Sequence, residues 1–219
     1  MKPDYISQDG RIKLYNVDCM KYLKEQPDNA FDLALVDPPY GIEKALNATS
    51  RVAKYGKMET VNDFKPSKDY FNSLFTLSEN QIIWGYNHLS DLLPATKEFI
   101  FWFKHQPVKT YSDGELAWTS FEKTAKCFDY PYFGCHNSDI HRIHPTQKPV
   151  KLYDWIYDNY AEKGQRILDT HLGSGSNAIA AHYAGMEFVG CELDEDYFKA
   201  SVERFERETA QKDMFSEQD

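Results

Sequence analysis

Only one strand-forming run follows the glycine-rich turn Gly173-x-Gly175-x-x-Ala178, and that placement constrains the fold of this 219-residue chain more than any other feature. The turn lies between a strand, Arg166 to Asp169, and a helix of small residues that includes Ala178, Ala180 and Ala181. Glu192 stands 19 residues after the first glycine. This is the permissive form of the dinucleotide-binding fingerprint: the glycines let backbone approach a ligand, and an acid ending the next strand accepts hydrogen bonds from ribose hydroxyls. An adenosine-containing ligand is expected, its remainder left open. A nicotinamide enzyme needs further strand-helix units after such a turn to complete its first half-sheet. Here the other strands must come from upstream, so the sheet is expected to be circularly permuted.

The upstream half supplies them. Phe31 to Val36 is a mostly apolar run that stops at Asp37-Pro38-Pro39-Tyr40. Neither proline can donate to a sheet ladder, so the stretch reads either as a strand halted by a rigid turn or as a site at a strand's carboxyl end. The alternating run Arg11 to Val17, a short helix from Cys19 to Glu25 and the Phe31 strand make a βαβ unit with parallel strands. Further on, the pattern predicts helices over 67–78, 89–93, 151–160 and 196–209. Strands are predicted over 81–84, 98–103 and 188–193, and 116–121 is expected to pair antiparallel with 125–130. Alternating strands and helices define an α/β domain with a mainly parallel sheet covered by helices on both faces. One domain is expected over 1–209, with a loop at 41–66, a small insertion at 104–143 and a polar tail at 210–219.

Composition narrows the class. No apolar stretch approaches the ~20 residues of a membrane span and no charged-then-apolar leader stands at Met1, so a soluble, cytoplasmic protein without a membrane partner is expected. Cys19, Cys127, Cys135 and Cys191 form no Cys-x-x-Cys pair, and together with His136, His141 and His144 they fit no paired-ligand spacing, so no metal is expected. The net charge is −9, but it is unevenly spread: Lys44 to Lys68 carries six bases against two acids, whereas Glu187 to Asp219 carries eleven acids against four bases. A phosphate backbone responds to the local patch within a Debye length of about 8 to 10 Å, so an acidic chain can still bind nucleic acid.

Together, the order of these motifs resembles the β class of S-adenosylmethionine-dependent DNA amino methyltransferases, in which the catalytic motif precedes the cofactor motif. Asp37-Pro38-Pro39-Tyr40 is similar to the family's catalytic motif, and Asn16-Val17-Asp18-Cys19 to its adenine-contacting segment. His144-Pro145-Thr146-Gln147-Lys148-Pro149 is similar to the segment closing over the methionine part of the cofactor, Asp169 to Ser176 to the glycine loop, and Glu192 to the ribose acid. The resemblance implies a permuted Rossmann-like methyltransferase fold. It also implies cofactor contacts from Asp18, Cys19, Asp37, Thr146, Lys148, Asp169, His171, Gly173, Ser174, Gly175, Ser176, Glu192 and Leu193. The chain departs from the family's usual Asp-Pro-Phe at Asp169-Thr170-His171, and His171 reads as a solvent-reachable loop imidazole rather than a catalytic group.

The implied reaction is methyl transfer to the N6 amino group of adenine in double-stranded DNA, since the motif begins with Asp; cytosine N4 or RNA remain alternatives. Asp37 and the Pro38 carbonyl would each accept an N–H of a flipped base and Tyr40 would stack on it. Lys44, Arg51, Lys54, Lys57 and Arg142 are the expected DNA contacts. A nicotinamide-dependent oxidoreductase or an inactive cofactor-binding module is the reading from another class. Homodimers are frequent in the family, and Gln211-Lys212-Asp213-Met214-Phe215 resembles a peptide that docks on the bacterial sliding clamp.

Overall fold

The computed structural model describes residues 1–42, 64–132 and 142–216, with 211–216 as backbone alone. Its elements in order are β1 (Tyr5–Ile6), β2 (Ile12–Asn16), α1 (Cys19–Leu23), β3 (Phe31–Val36), α2 (Lys68–Leu77), β4 (Ser78–Trp84), α3 (Tyr86–Leu89), β5 (Phe99–Phe103), β6 (Gly114–Thr119), β7 (Lys126–Asp129), α4 (Val150–Tyr160), β8 (Arg166–Asp169), α5 (Ser176–Ala184), β9 (Glu187–Glu192) and α6 (Glu195–Ser216). The described strands form one sheet in the order β1-β2-β9-β8-β3-β4-β6-β5-β7. From β2 to β4 every pairing is parallel. β6 runs antiparallel to both its neighbours, and β1 antiparallel to β2.

The pleat divides the core. Leu33 and Leu35 of β3 face one side, with Ile12, Ile82, Trp84, Trp102 and residues of α4, α5 and α6. Ala34 and Val36 face the other, with Ile83, Leu168 and the helices α1 and α2. Successive strand residues point to opposite faces, so a strand covered on both sides takes apolar residues at consecutive positions, as Leu33 to Val36 do; Asp32, near the strand's start, is half-buried and accepts from the Arg166 N–H (2.6 Å). Burying each of Leu33 and Leu35 contributes about 1.5–3 kcal/mol. In α2, Tyr70, Phe71, Leu74 and Leu77 share the buried stripe. Helix α5 has no such stripe, because Ser176 to Ala181 are all buried; small residues let it lie close to its neighbours.

The chain leaves β3 toward β4 on one side and β8 toward β9 on the other. Adjacent parallel strands whose connections diverge leave a crevice at their carboxyl ends. Strands β3 to β7 precede β8 and β9 in the chain, so the Asp37 strand comes before the glycine-turn strand, which is the permuted order expected.

Several local expectations change. Strands β6 and β7 do not pair with each other: β5 lies between them, antiparallel to β6 and parallel to β7. Alternation shows that a segment is a strand but not which strand it joins. Gly114 lets β6 lie close against β5, because a Cβ there would stand 2.1 Å from the Trp102 carbonyl oxygen. The short helix expected at 89–93 lies at Tyr86–Leu89, started by Gly85 in the left-handed conformation. The closing helix continues to Ser216, through the segment expected to be a polar tail.

Candidate active site

Asp37 follows directly on β3, its side chain 18% exposed. Pro38 behind it is buried and Pro39 half-buried. Two groups donate to the carboxylate: the Tyr40 hydroxyl to Oδ1 and the Lys148 ammonium to Oδ2. Lys148, expected among the cofactor contacts, is therefore engaged with the acid of the Asp-Pro-Pro-Tyr motif. It is 5% exposed, and its Nζ also lies 3.3 Å from Glu115 Oε2. The second Glu115 oxygen accepts from Lys104. Burial would push Glu115 up, but Lys148 and Lys104 bring it down to about 2. For Lys148, burial opposes the charge, and Asp37 and Glu115 override it to hold the ammonium above its usual value.

Tyr40 owes its position to a glycine. Its ring is stacked on His88, with centroids 5.3 Å apart and planes 15° apart. A Cβ on Gly85 would stand 2.1 Å from that ring, and Gly85 has φ +81°, so only glycine suits the position on both counts. Burial and then Asp37 raise the Tyr40 phenol well above its usual value, so it stays a donor.

The glycine turn adjoins this acid across the crevice. Gly173 has φ +53° and Gly175 φ +73°. A Cβ on Gly175 would press at 3.3 Å on Ser201 of α6. The Gly173 N–H donates to Glu192 Oε2 (2.8 Å) and the Asp194 N–H to Oε1 (3.0 Å), so the acid ending β9 is held by backbone. Beside it Leu193 is 61% exposed. Asp18 caps α1, its Oδ1 accepting from the Met20 N–H (2.8 Å), and burial raises the neighbouring Cys19 thiol to about 12.

Asp169 is 3% exposed and accepts from the His171 N–H (3.0 Å) and Asn177 Nδ2 (2.9 Å). Burial dominates those bonds and lifts it to about 7. His171, expected as a solvent-reachable loop imidazole, is only partly open to solvent. It is half-buried, its Nδ1 lies 2.9 Å from Thr170 Oγ1, its ring meets Tyr70 edge-on at 5.6 Å, and burial lowers it to about 4. His144 packs beside the turn, 9% exposed, against Tyr197 at 4.5 Å, and burial lowers it likewise to about 4. Its Nδ1 accepts from the Thr146 N–H (3.3 Å), while Thr146 itself lies exposed at the rim.

Ser174 and Ser176, buried, line the loop's underside, where fully buried Arg204 donates through Nη1 to Ser174 O (3.0 Å) and Ser176 Oγ (2.8 Å). Sequence reasoning missed Arg204, Asn177, Glu115, Lys104 and Gly85. Only Arg204 carried a local signal, its pairing with Glu208 one helical turn on (2.8 Å). The expected DNA contacts Lys44, Arg51, Lys54 and Lys57 lie outside the described residues, as do Cys135, His136, His141 and the side chains of Gln211 to Phe215. Arg142 lies 4.8 Å over the Tyr132 ring.

The donor set suits a nucleoside: a carboxylate fixed by backbone with lone pairs to spare, an exposed apolar Leu193 beside it, and a glycine turn on the neighbouring strand to Asp37. A mainly parallel sheet with this turn at its switch point is a Rossmann-like α/β methyltransferase fold. The sequence model described as DNA methylase matches residues 71–203, and the chain belongs to that family, the N6/N4 methyltransferases. Type II methyltransferase M.BglII of Bacillus subtilis is 27% identical over 84% of this chain and 66% of its own length; M2.MboI of Moraxella bovis is 26% identical over 94% and 91%. Among solved structures, the complex of M1.HpyAVI with S-adenosylmethionine superposes with a TM-score of 0.63 at 21% identity, covering 88% of this chain and 99% of that one. The cytosine-N4-specific PvuII methyltransferase gives 0.64 at 16%, covering 95% and 93%. S-adenosylmethionine is the family's methyl donor.

Proposed function

We propose that this protein methylates the N6 amino group of adenine in double-stranded DNA, acting in the cytoplasm on a base flipped out of the duplex. The observation that carries the reading is the Asp37 carboxylate at the switch point, held on both oxygens and adjoining the glycine turn. In a duplex the exocyclic nitrogen is held in its base pair and within the stack, so a pocket of this kind requires flipping. When bound, S-adenosylmethionine supplies an electrophilic methyl group on its sulfonium. Gly173, Glu192, Leu193 and the 144–149 segment would hold it.

The chain's own groups prepare the nitrogen. Its lone pair is delocalised into the adenine ring and must be released. Asp37 has about four lone-pair sites, of which Lys148 and Tyr40 occupy two, so it can still accept one N–H. The Pro38 carbonyl accepts the other. Acceptors placed in advance stabilise the positive charge that grows on nitrogen, and Tyr40, backed by His88, offers its ring to the base. A motif that begins with Asp supports adenine over cytosine.

The test is incubation with labelled S-adenosylmethionine and duplex DNA, followed by nucleoside analysis. N6-methyladenine is expected, and N4-methylcytosine as sole product would overturn the base assignment. Asp37→Ala should lower kcat by at least about 10²-fold while still binding the cofactor; unchanged turnover would remove Asp37 from the mechanism.

A further inference from the structure

Four charges of alternating sign run from the β5–β6 strand pair to the active site: Lys104, Glu115, Lys148 and Asp37. Lys104 follows the last residue of β5, and its N–H donates to Asp113 O (2.9 Å), just ahead of β6. Glu115 sits in β6 opposite Trp102. Both lysines lie over tryptophan rings, Lys104 at 4.4 Å from Trp102 and Lys148 at 5.4 Å from Trp84, and the two rings meet edge to face at 6.3 Å. The charges therefore rest on a rigid aromatic floor that belongs to the sheet.

An ammonium is a compact point charge on a four-carbon stem with many rotamers, so a single partner does not fix its position. Asp37 alone would let Lys148 and its own carboxylate swing together. A second carboxylate on the far side, anchored in β6 between two other strands and itself held by Lys104, removes that freedom. The Tyr40 hydroxyl fixes the remaining Asp37 oxygen.

We propose that Glu115 is a positioning residue for methyl transfer, holding the Lys148 ammonium where it orients the Asp37 carboxylate. The proposal rests on Asp37 being the acceptor for the target amino group. Glu115 acts through Lys148, so the two substitutions are coupled and their effects do not add.

Steady-state kinetics of Glu115→Gln, Lys148→Met and the double variant test this. In Glu115→Gln, kcat should fall roughly 10- to 100-fold, the order produced by about 1 Å of misplacement, with KM for S-adenosylmethionine unchanged. In the double variant, kcat should equal that of Lys148→Met. Wild-type kcat in Glu115→Gln, or a double variant slower than Lys148→Met by the full single-variant factor, overturns the proposal. Should Glu115→Gln not fold, the double variant, which removes one charge of each sign, carries the comparison: equality with Lys148→Met is expected, and a further drop overturns the role. An active Asp37→Ala would instead sink the reading of Asp37 itself; an inactive one beside a fully active Glu115→Gln sinks only the positioning role.

Discussion

Asp37 illustrates what one residue shows and what it conceals. Its place, where an apolar run meets two prolines, marks a strand's carboxyl end in the bare sequence. Its partners carry no such mark: Lys148 is 111 residues away, and Glu115 sits on an antiparallel strand. Gly85 was equally silent, a single glycine before a short helix. The space it leaves is filled by Tyr40, which contacts Asp37 from the other side. Gly85→Ala should cost about 1–3 kcal/mol through backbone strain alone, and more through displacement of the Tyr40 ring. Chemical denaturation and kcat measured together would check this, and a variant with both unchanged would contradict the packing argument.

At the scale of elements, the glycine turn is held from beneath by α6. Gly175 lies against Ser201, and Arg204 reaches Ser174 O and Ser176 Oγ. The turn's glycines were legible because close backbone approach leaves few alternatives. The arginine was not, since a base on a highly charged helix ordinarily faces solvent. Arg204→Met keeps the apolar stem and removes the charged donors. It should cost about 2–3 kcal/mol and weaken cofactor binding, because hydrogen bonds from a charged group to buried acceptors are lost. Calorimetric titration of S-adenosylmethionine and a melting curve measure the two effects; unchanged affinity would mean that the turn holds its own shape.

Across the whole molecule, buried titratable groups set how stability follows pH. Unfolded histidines take up protons from about pH 6.5 downward, whereas His144 and His171 resist protonation in the fold to about 4. Their contribution is fully present above pH 6.5 and is lost as pH falls through 4. Asp169 runs the other way: its raised value means a contribution present below 3.8 and lost as pH rises through about 7. Urea unfolding at stepped pH should therefore show His144→Asn with an acid-side slope flatter by one proton's worth, about 1.4 kcal/mol per pH unit. An unchanged slope would mean that His144 titrates freely in the fold. By itself the sequence determined the alternation of strands and helices, the acid at the strand end and the glycine turn, because each follows from chemistry local to a few neighbouring residues, and the permuted order, because it is the succession of those segments along the chain. Tertiary structure alone decided that β5 lies between β6 and β7, that Lys148 joins Glu115 to Asp37, and that Tyr40 needs Gly85. Those facts depend on distances between atoms of different elements, which no periodicity along one element encodes.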